Sequence, residues 1–247
     1  VYDNGKITGA ILIILDVTEK EKGEALRREF TSNVSHELKT PLTSIYGVSD
    51  MLSSGLVKPE DVKNFAKTIK EESSRLISLI EDIIKLSQLD EETVPDEKEE
   101  IDVLAAAEEV ARRLKTKADE EQVTISVSGS SVCIMGVGYI LDEIIYNLCD
   151  NAIKYNKKGG TVEVSVNQQG EDCLLSVKDT GIGIPKSDLK RVFERFYRVD
   201  KSHSKATGGT GLGLSIVKHA VSYLDGELEI DSIENEGTEI NIRFKAV

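Results

Sequence analysis

Two apolar stripes at helical spacing dominate the first third of the chain. Leu26, Phe30, Val34, Leu38, Ile45, Val48 and Leu52 recur every three or four residues. After the breaker SSGLVKPED, a second stripe runs through Val62, Phe65, Ile69, Leu76, Ile80 and Ile83. The pattern predicts a helix over 19–53, a reversal, and a second helix returning beside it. Such a hairpin cannot cover both apolar faces alone, and the near-heptad spacing favours pairing with a second copy as a four-helix bundle. A homodimer is the expectation. Within the first helix, residues 35–42 read SHELKTPL. At about 100° per residue, His36 lies roughly 200° from Val34 and Leu38, so it faces water. The ring of Pro41 leaves the Glu37 carbonyl without its helical donor and predicts a bend one turn past His36.

The 247 residues suffice for two domains, and 39% hydrophobic with 30% charged residues is ordinary for a globular protein. A net charge of −13 argues against a broad nucleic-acid surface and leaves room only for a local basic pocket. Cys133, Cys149 and Cys173 have apolar neighbours and no metal-type spacing, which reads as reduced core cysteines of a cytosolic protein. The run AILIIL at 10–15 is too short to span a bilayer, and no signal peptide is evident. Residues 5–17 resemble a turn and a buried strand without nearby partners, so more chain is expected upstream.

The acidic run DEETVPDEKEE at 90–100 reads as a solvated linker. Beyond it the pattern predicts helices near 102–119, 137–155 and 213–224. Strands are predicted near 123–128, 131–136, 161–168, 172–178, 226–232 and 238–245. That alternation suggests an α/β sandwich, one mixed sheet covered on one face.

Four stretches of this second part carry chemistry. NLCDNAIKY at 147–155 puts Asn147, Asn151 and Lys154 on one side of a helix. Two asparagines on one face of an otherwise apolar helix need partners. LLSVKDTGIGIP at 174–185 ends a strand at Asp179 and opens into a loop with Gly181 and Gly183, a tight turn or a close approach to a ligand. GGTGLGLSIV at 208–217 is a glycine-rich loop running into a helix, a hinge or a phosphate cradle, and it is no Walker A loop because no GK[ST] follows. Between them, FERFYRVDKSHSKAT at 193–207 carries Arg195, Arg198, Lys201 and Lys205, a solvated loop or a lid over an anion.

The order SHELKTPL, NLCDNAIKY, DTGIGI, FERFYRVD, GTGLGL closely resembles the sensor histidine kinases of bacterial two-component systems. LDVTE at 15–19 is similar to the last strand of a PAS domain. The resemblance implies a PAS tail at 1–18, a dimerisation and histidine-phosphotransfer hairpin at 19–93, a linker at 94–100, and an ATP-binding domain of the Bergerat fold, shared with gyrase and Hsp90, at 101–247. It also implies ATP and Mg²⁺ as cofactors and the receiver domain of a response regulator as partner. The chain would be the cytoplasmic portion of a membrane-anchored bacterial sensor, touching a membrane only through segments upstream.

Carried over residue by residue, the resemblance makes His36 the phosphoacceptor and Glu37 the acceptor of its Nδ1 proton, unless Glu37 is merely a surface carboxylate. Thr40 would orient water for dephosphorylating the regulator. Asn151 would coordinate Mg²⁺ and Asn147 support the phosphates, with Lys154 and Arg198 neutralising their charge. Asp179 would take the adenine amino group and Tyr155 pack on the base. Gly181 and Gly183 would line the site, and Gly209, Thr210, Gly211, Leu212 and Gly213 form the loop over the triphosphate. Two readings compete with it. A gyrase-type ATPase lacks a use for SHELKTP, and a scaffold with a degenerate site would have lost Asn151, Asp179 or the glycines.

Overall fold

The computed structural model describes residues 2–3, 6–7, 17–55, 57–91, 97–199 and 209–247. Two short strands, β1 (Tyr2–Asp3) and β2 (Lys6–Ile7), pair antiparallel at the start. The strand expected over residues 8–16 lies outside the described residues.

The apolar stripes fold as expected into α1 (Thr18–Ser53) and α2 (Val62–Asp90). α1 runs unbroken through Pro41, which is buried. Leu42, Ile77, Ile80 and Ile84 stay exposed on the single chain. This face is what the hairpin leaves uncovered by itself.

After the hairpin come β3 (Glu99–Asp102), α3 (Val103–Glu120), β4 (Thr124–Gly129), β5 (Cys133–Gly136) and α4 (Gly138–Lys154). They are followed by β6 (Thr161–Gln169), β7 (Asp172–Asp179), α5 (Gly213–Tyr223), β8 (Glu227–Ile233) and β9 (Gly237–Lys245). Five strands form one mixed sheet in the order β4-β6-β7-β9-β8, parallel between β4 and β6 and antiparallel elsewhere. Alternate residues point inward. Val162, Val164 and Val166 of β6, Cys173, Leu175 and Val177 of β7, and Ile240, Ile242 and Phe244 of β9 are buried in one core with α3, α4 and α5. Each large aliphatic side chain so buried stabilises the fold by about 1.5–3 kcal/mol.

The sheet differs from the expectation at β5, which leaves it and pairs antiparallel with β3 instead. β3 starts inside the acidic run read as linker. There the Asp102 side chain caps α3 by accepting from the Leu104 and Ala105 amides at 2.9 and 3.1 Å. Cys149 and Cys173 are buried, Cys133 is half-buried, and none is paired. Burial pushes the Cys149 thiol up to about 12 and the Cys173 thiol to about 11, which keeps both unreactive. No described helix is long and apolar enough to cross a membrane.

A second, smaller core joins the two parts. Leu79 and Leu86 of α2 meet Leu212 and Ile216 at the start of α5, with Phe30, Leu38, Ile83, Leu89 and Phe196 packed around them. Polar pairs frame it, Lys85 with Glu143 at 2.7 Å and Arg195 with Asp90 at 2.7 Å.

Candidate functional site

The apolar face of α4 is fixed by Ile144, Leu148, Cys149 and Ala152 in the core, which turns Asn147, Asn151 and Lys154 toward the start of α5. There the chain approaches at glycines. A Cβ on Gly213 would stand 2.8 Å from Asn147 Oδ1, and one on Gly209 would stand 2.6 Å from Lys154 Nζ. A larger residue at Gly213 would press on the held Asn147 amide, whereas one at Gly209 would displace the Lys154 ammonium. The two asparagines differ in use. The Asn147 amide nitrogen donates to the Glu143 carbonyl at 2.9 Å and to Glu143 Oε1 at 2.8 Å, so its orientation is locked. Asn151 makes no side-chain hydrogen bond to a described residue.

Burial pushes the Lys154 ammonium down to about 8, and the nearby positive charges of Lys117, Arg198 and Arg75 push the same way against Asp150. Such an ammonium is short of negative charge, which an anionic ligand would supply. Its Nζ lies 5.4 Å from the Tyr155 ring centre. Across the cleft, Asp179 at the end of β7 accepts from the Gly181 amide at 2.7 Å and the Thr238 amide at 3.3 Å, both through Oδ1. Burial raises the Asp179 carboxyl above the usual carboxylate value despite those two bonds. A side chain at Gly181 would overlap the Tyr155 carbonyl, so this glycine holds the Asp179 loop against the asparagine helix. Gly183, with φ of 65°, passes the Ile233 carbonyl at the end of β8.

The second glycine loop is turned partly toward the hairpin. The Thr210 hydroxyl donates to Asp82 of α2 at 2.8 Å and accepts from the Leu212 amide at 3.2 Å. The Leu212 side chain is fully buried in the inter-domain core, not in the cleft. Gly211, with φ of 74°, packs on the Phe196 backbone, and its carbonyl accepts from the Phe196 amide at 2.9 Å. Residues 200–208, which carry Lys201, Lys205 and Gly208, lie outside the described residues.

On α1, His36 is 80% exposed. Its Nδ1 stands 3.8 Å from Glu37 Oε1, while Glu37 Oε2 stands 3.6 Å from an Arg75 nitrogen on α2. Thr40 lies one turn on, with its hydroxyl donating to the His36 carbonyl at 3.2 Å. Arg198 comes close enough to Tyr155, Arg75 and Glu37 to interact electrostatically with each. Arg198 and Lys154 are thus within electrostatic reach of the hairpin, Arg198 through Glu37 and Arg75 and Lys154 through Arg75.

The sequence reading missed Arg75, Asp82, Lys85 and Glu143. Each sits on a helix among ordinary surface charges, and only the packing of α2 on the second domain distinguishes them. Asp90 at the end of α2 was likewise missed; it takes Arg195 at 2.7 Å and stands 3.0 Å from His219 Nδ1.

Comparison with known proteins agrees with this geometry. Residues 26–92 match the His Kinase A (phospho-acceptor) domain family. Residues 136–247 match the histidine kinase-, DNA gyrase B-, and HSP90-like ATPase family. The sensor histidine kinase WalK of Bacillus subtilis is 38% identical over 96% of this chain and 40% of its own length. The sensor-like histidine kinase SenX3 of Mycolicibacterium smegmatis is 40% identical over 93% of this chain and 60% of its own length. The chain thus spans only part of these curated relatives. Among solved structures, histidine kinase ThkA in complex with the response regulator protein TrrA has the same fold, with a TM-score of 0.70, 19% identity, and coverage of 95% of this chain and 68% of that one. With a phospho-acceptor hairpin joined to an ATPase-type domain, and relatives of this similarity along nearly its whole length, the chain belongs to the sensor histidine kinases.

Proposed function

We propose that the chain transfers the γ-phosphoryl group of ATP to His36, as a homodimer, and passes it to an aspartate on the receiver domain of a response regulator. The observation that carries this reading is the electrostatic proximity of Arg198, neighbour of Lys154, to Glu37 beside an exposed His36. In the transfer a bond forms between His36 Nε2 and phosphorus as the bond to the ADP oxygen breaks. Glu37 holds the Nδ1 proton, which leaves the Nε2 lone pair to attack. Phosphoryl transfer asks mainly for alignment and charge neutralisation. Lys154 and Arg198 serve the second need, while Asn147, with its amide N–H groups donated to Glu143, keeps only its Oδ1 for the site. Asp179, with Oδ1 occupied by two amides, accepts the adenine amino group through Oδ2, and Tyr155 packs beside the base.

No group of three His, Cys, Asp or Glu residues among the described residues could hold a metal by itself. The uncommitted Asn151 carboxamide fits Mg²⁺, an ion bound through few protein oxygens and the phosphates of its nucleotide. Bound there, Mg²⁺ would supply neutralisation of charge on the phosphate oxygens. The exposed Leu42, Ile77, Ile80 and Ile84 are the surface for the second hairpin. The receiver-domain partner follows the ThkA complex, and Thr40, facing the same side as His36, suits a phosphatase role. Relatives named sensor histidine kinases support reading the chain as the kinase portion of a sensor.

The test is incubation with γ-labelled ATP and Mg²⁺. Acid-labile label is expected on the wild type and on neither His36→Ala nor Asn151→Ala. Label that survives His36→Ala, or its absence from a wild type that binds ATP, overturns the reading.

A further inference from the structure

The Glu37 carboxylate is held from two sides. Oε1 faces His36 Nδ1 at 3.8 Å, and Oε2 faces Arg75 at 3.6 Å. The histidine is open to solvent, but the pair behind it is not, with side chains only 28% exposed for Glu37 and 21% for Arg75. Arg75 comes from the other helix of the hairpin, so its position is set by the α1–α2 seam, independently of the His36 turn. It is also close enough to Lys154 and Arg198 for its charge to act on both. One guanidinium thus touches the carboxylate behind the nucleophile and borders the cations of the nucleotide cleft.

We propose that Arg75 is a positioning residue for phosphotransfer, fixing Glu37 so that His36 keeps its proton on Nδ1 and presents Nε2 to the incoming phosphoryl group. The proposal rests on the kinase reading above. A carboxylate with one bound neighbour can rotate about its last side-chain torsion and release the imidazole to its other tautomer. A second neighbour on the far oxygen removes that freedom. The guanidinium suits this task because its planar fork stays charged and directional where an ammonium is a point charge. The contacts are longer than hydrogen bonds, as catalytic contacts commonly are before the substrate is bound.

The experiment uses the full chain with Arg75→Gln and Arg75→Lys, with helix content checked by circular dichroism. Three quantities are read: the rate of acid-labile labelling at saturating Mg-ATP, the affinity for a fluorescent ATP analogue, and the tautomer of neutral His36 from its ring ¹⁵N shifts. For Arg75→Gln the labelling rate is expected to fall about 10- to 100-fold, the part of acid–base assistance that orientation supplies, with nucleotide affinity within about twofold of wild type. The His36 tautomer should move away from Nδ1–H, and Arg75→Lys should recover part of both. An unchanged rate and tautomer, or a loss confined to nucleotide affinity, overturns the proposal. A wild type that takes no label overturns the kinase reading instead, while the tautomer shift still decides whether Arg75 orients His36 through Glu37.

Discussion

Lys154 gives the sharpest forecast of how nucleotide binding depends on pH. Burial among Arg75, Arg198 and Lys117 lowers its ammonium to about 8 in the free protein. Only the charged form can neutralise phosphate. At that value it is about 90% charged at pH 7 and about 10% at pH 9, so affinity for Mg-ATP should fall about tenfold over the interval. Bound phosphate restores the charge, so binding near pH 9 should take up about one proton from solution. Stability of the nucleotide-free protein moves the opposite way. The unfolded chain keeps the lysine proton up to its ordinary value of 10.5, so between about 8 and 10.5 the unfolded state holds the extra proton and the folded state gains with rising pH. Isothermal titration at pH 7, 8 and 9, in two buffers of different ionisation enthalpy, reads affinity and proton uptake together. A flat affinity with no proton uptake would show that Lys154 does not meet the phosphates. The variant Lys154→Met should bind weakly at every pH and show neither effect.

Three further outcomes follow from the hairpin and its contact with the second domain. Thr40→Ala should slow dephosphorylation of the regulator while sparing labelling of His36, and equal loss of both activities would refute that division. Leu86 is fully buried between α2 and the ATP-binding domain. Leu86→Ala should therefore cost about 2–5 kcal/mol in denaturant unfolding, and a loss under about 1 would mean that the inter-domain core is not formed in solution. His219 Nδ1 stands 3.0 Å from Asp90 Oδ1, and its Nε2 faces an Arg195 nitrogen at 3.3 Å. Burial, with Arg195 and Lys218, outweighs Asp90 and lowers its proton affinity below the ordinary 6.5. The docked arrangement is thus favoured above that value and weakened as pH falls below it. Small-angle scattering should show expansion on acidification, and a profile unaltered by His219→Gln would remove His219 from the account.

Most of the catalytic half could be read from residue order alone. Alternating Val162, Val164 and Val166, or the stripe from Ile140 to Ile153, declare their elements because burial of one face leaves a period in the sequence. The glycines and asparagines of the cleft stand out because they break the apolar periods on either side of them. β3 was not legible, since EEID has no alternation and a single apolar residue, and it becomes a strand only because β5 offers it a partner. The inter-domain core was not legible either. Leu79 and Leu86 look like any core positions of a helical hairpin, and nothing local indicates that they cover Leu212 and Ile216. Thr210 shows the same limit, for its hydroxyl reads as a ligand to phosphate until Asp82 is seen beside it.

α2 serves three neighbours at once. One side packs on α1, Leu79 and Leu86 with Asp82, Lys85 and Asp90 hold the ATP-binding domain, and Ile77, Ile80 and Ile84 are left facing outward. The chain is therefore not modular at the acidic segment after residue 91, although that is where its composition changes. A chimera joined there, with the hairpin of one kinase and the ATP-binding half of another, would set foreign residues against Leu212, Thr210 and Arg195. A junction placed upstream of Arg75 would transplant the second half of α2 together with the surface it was fitted to.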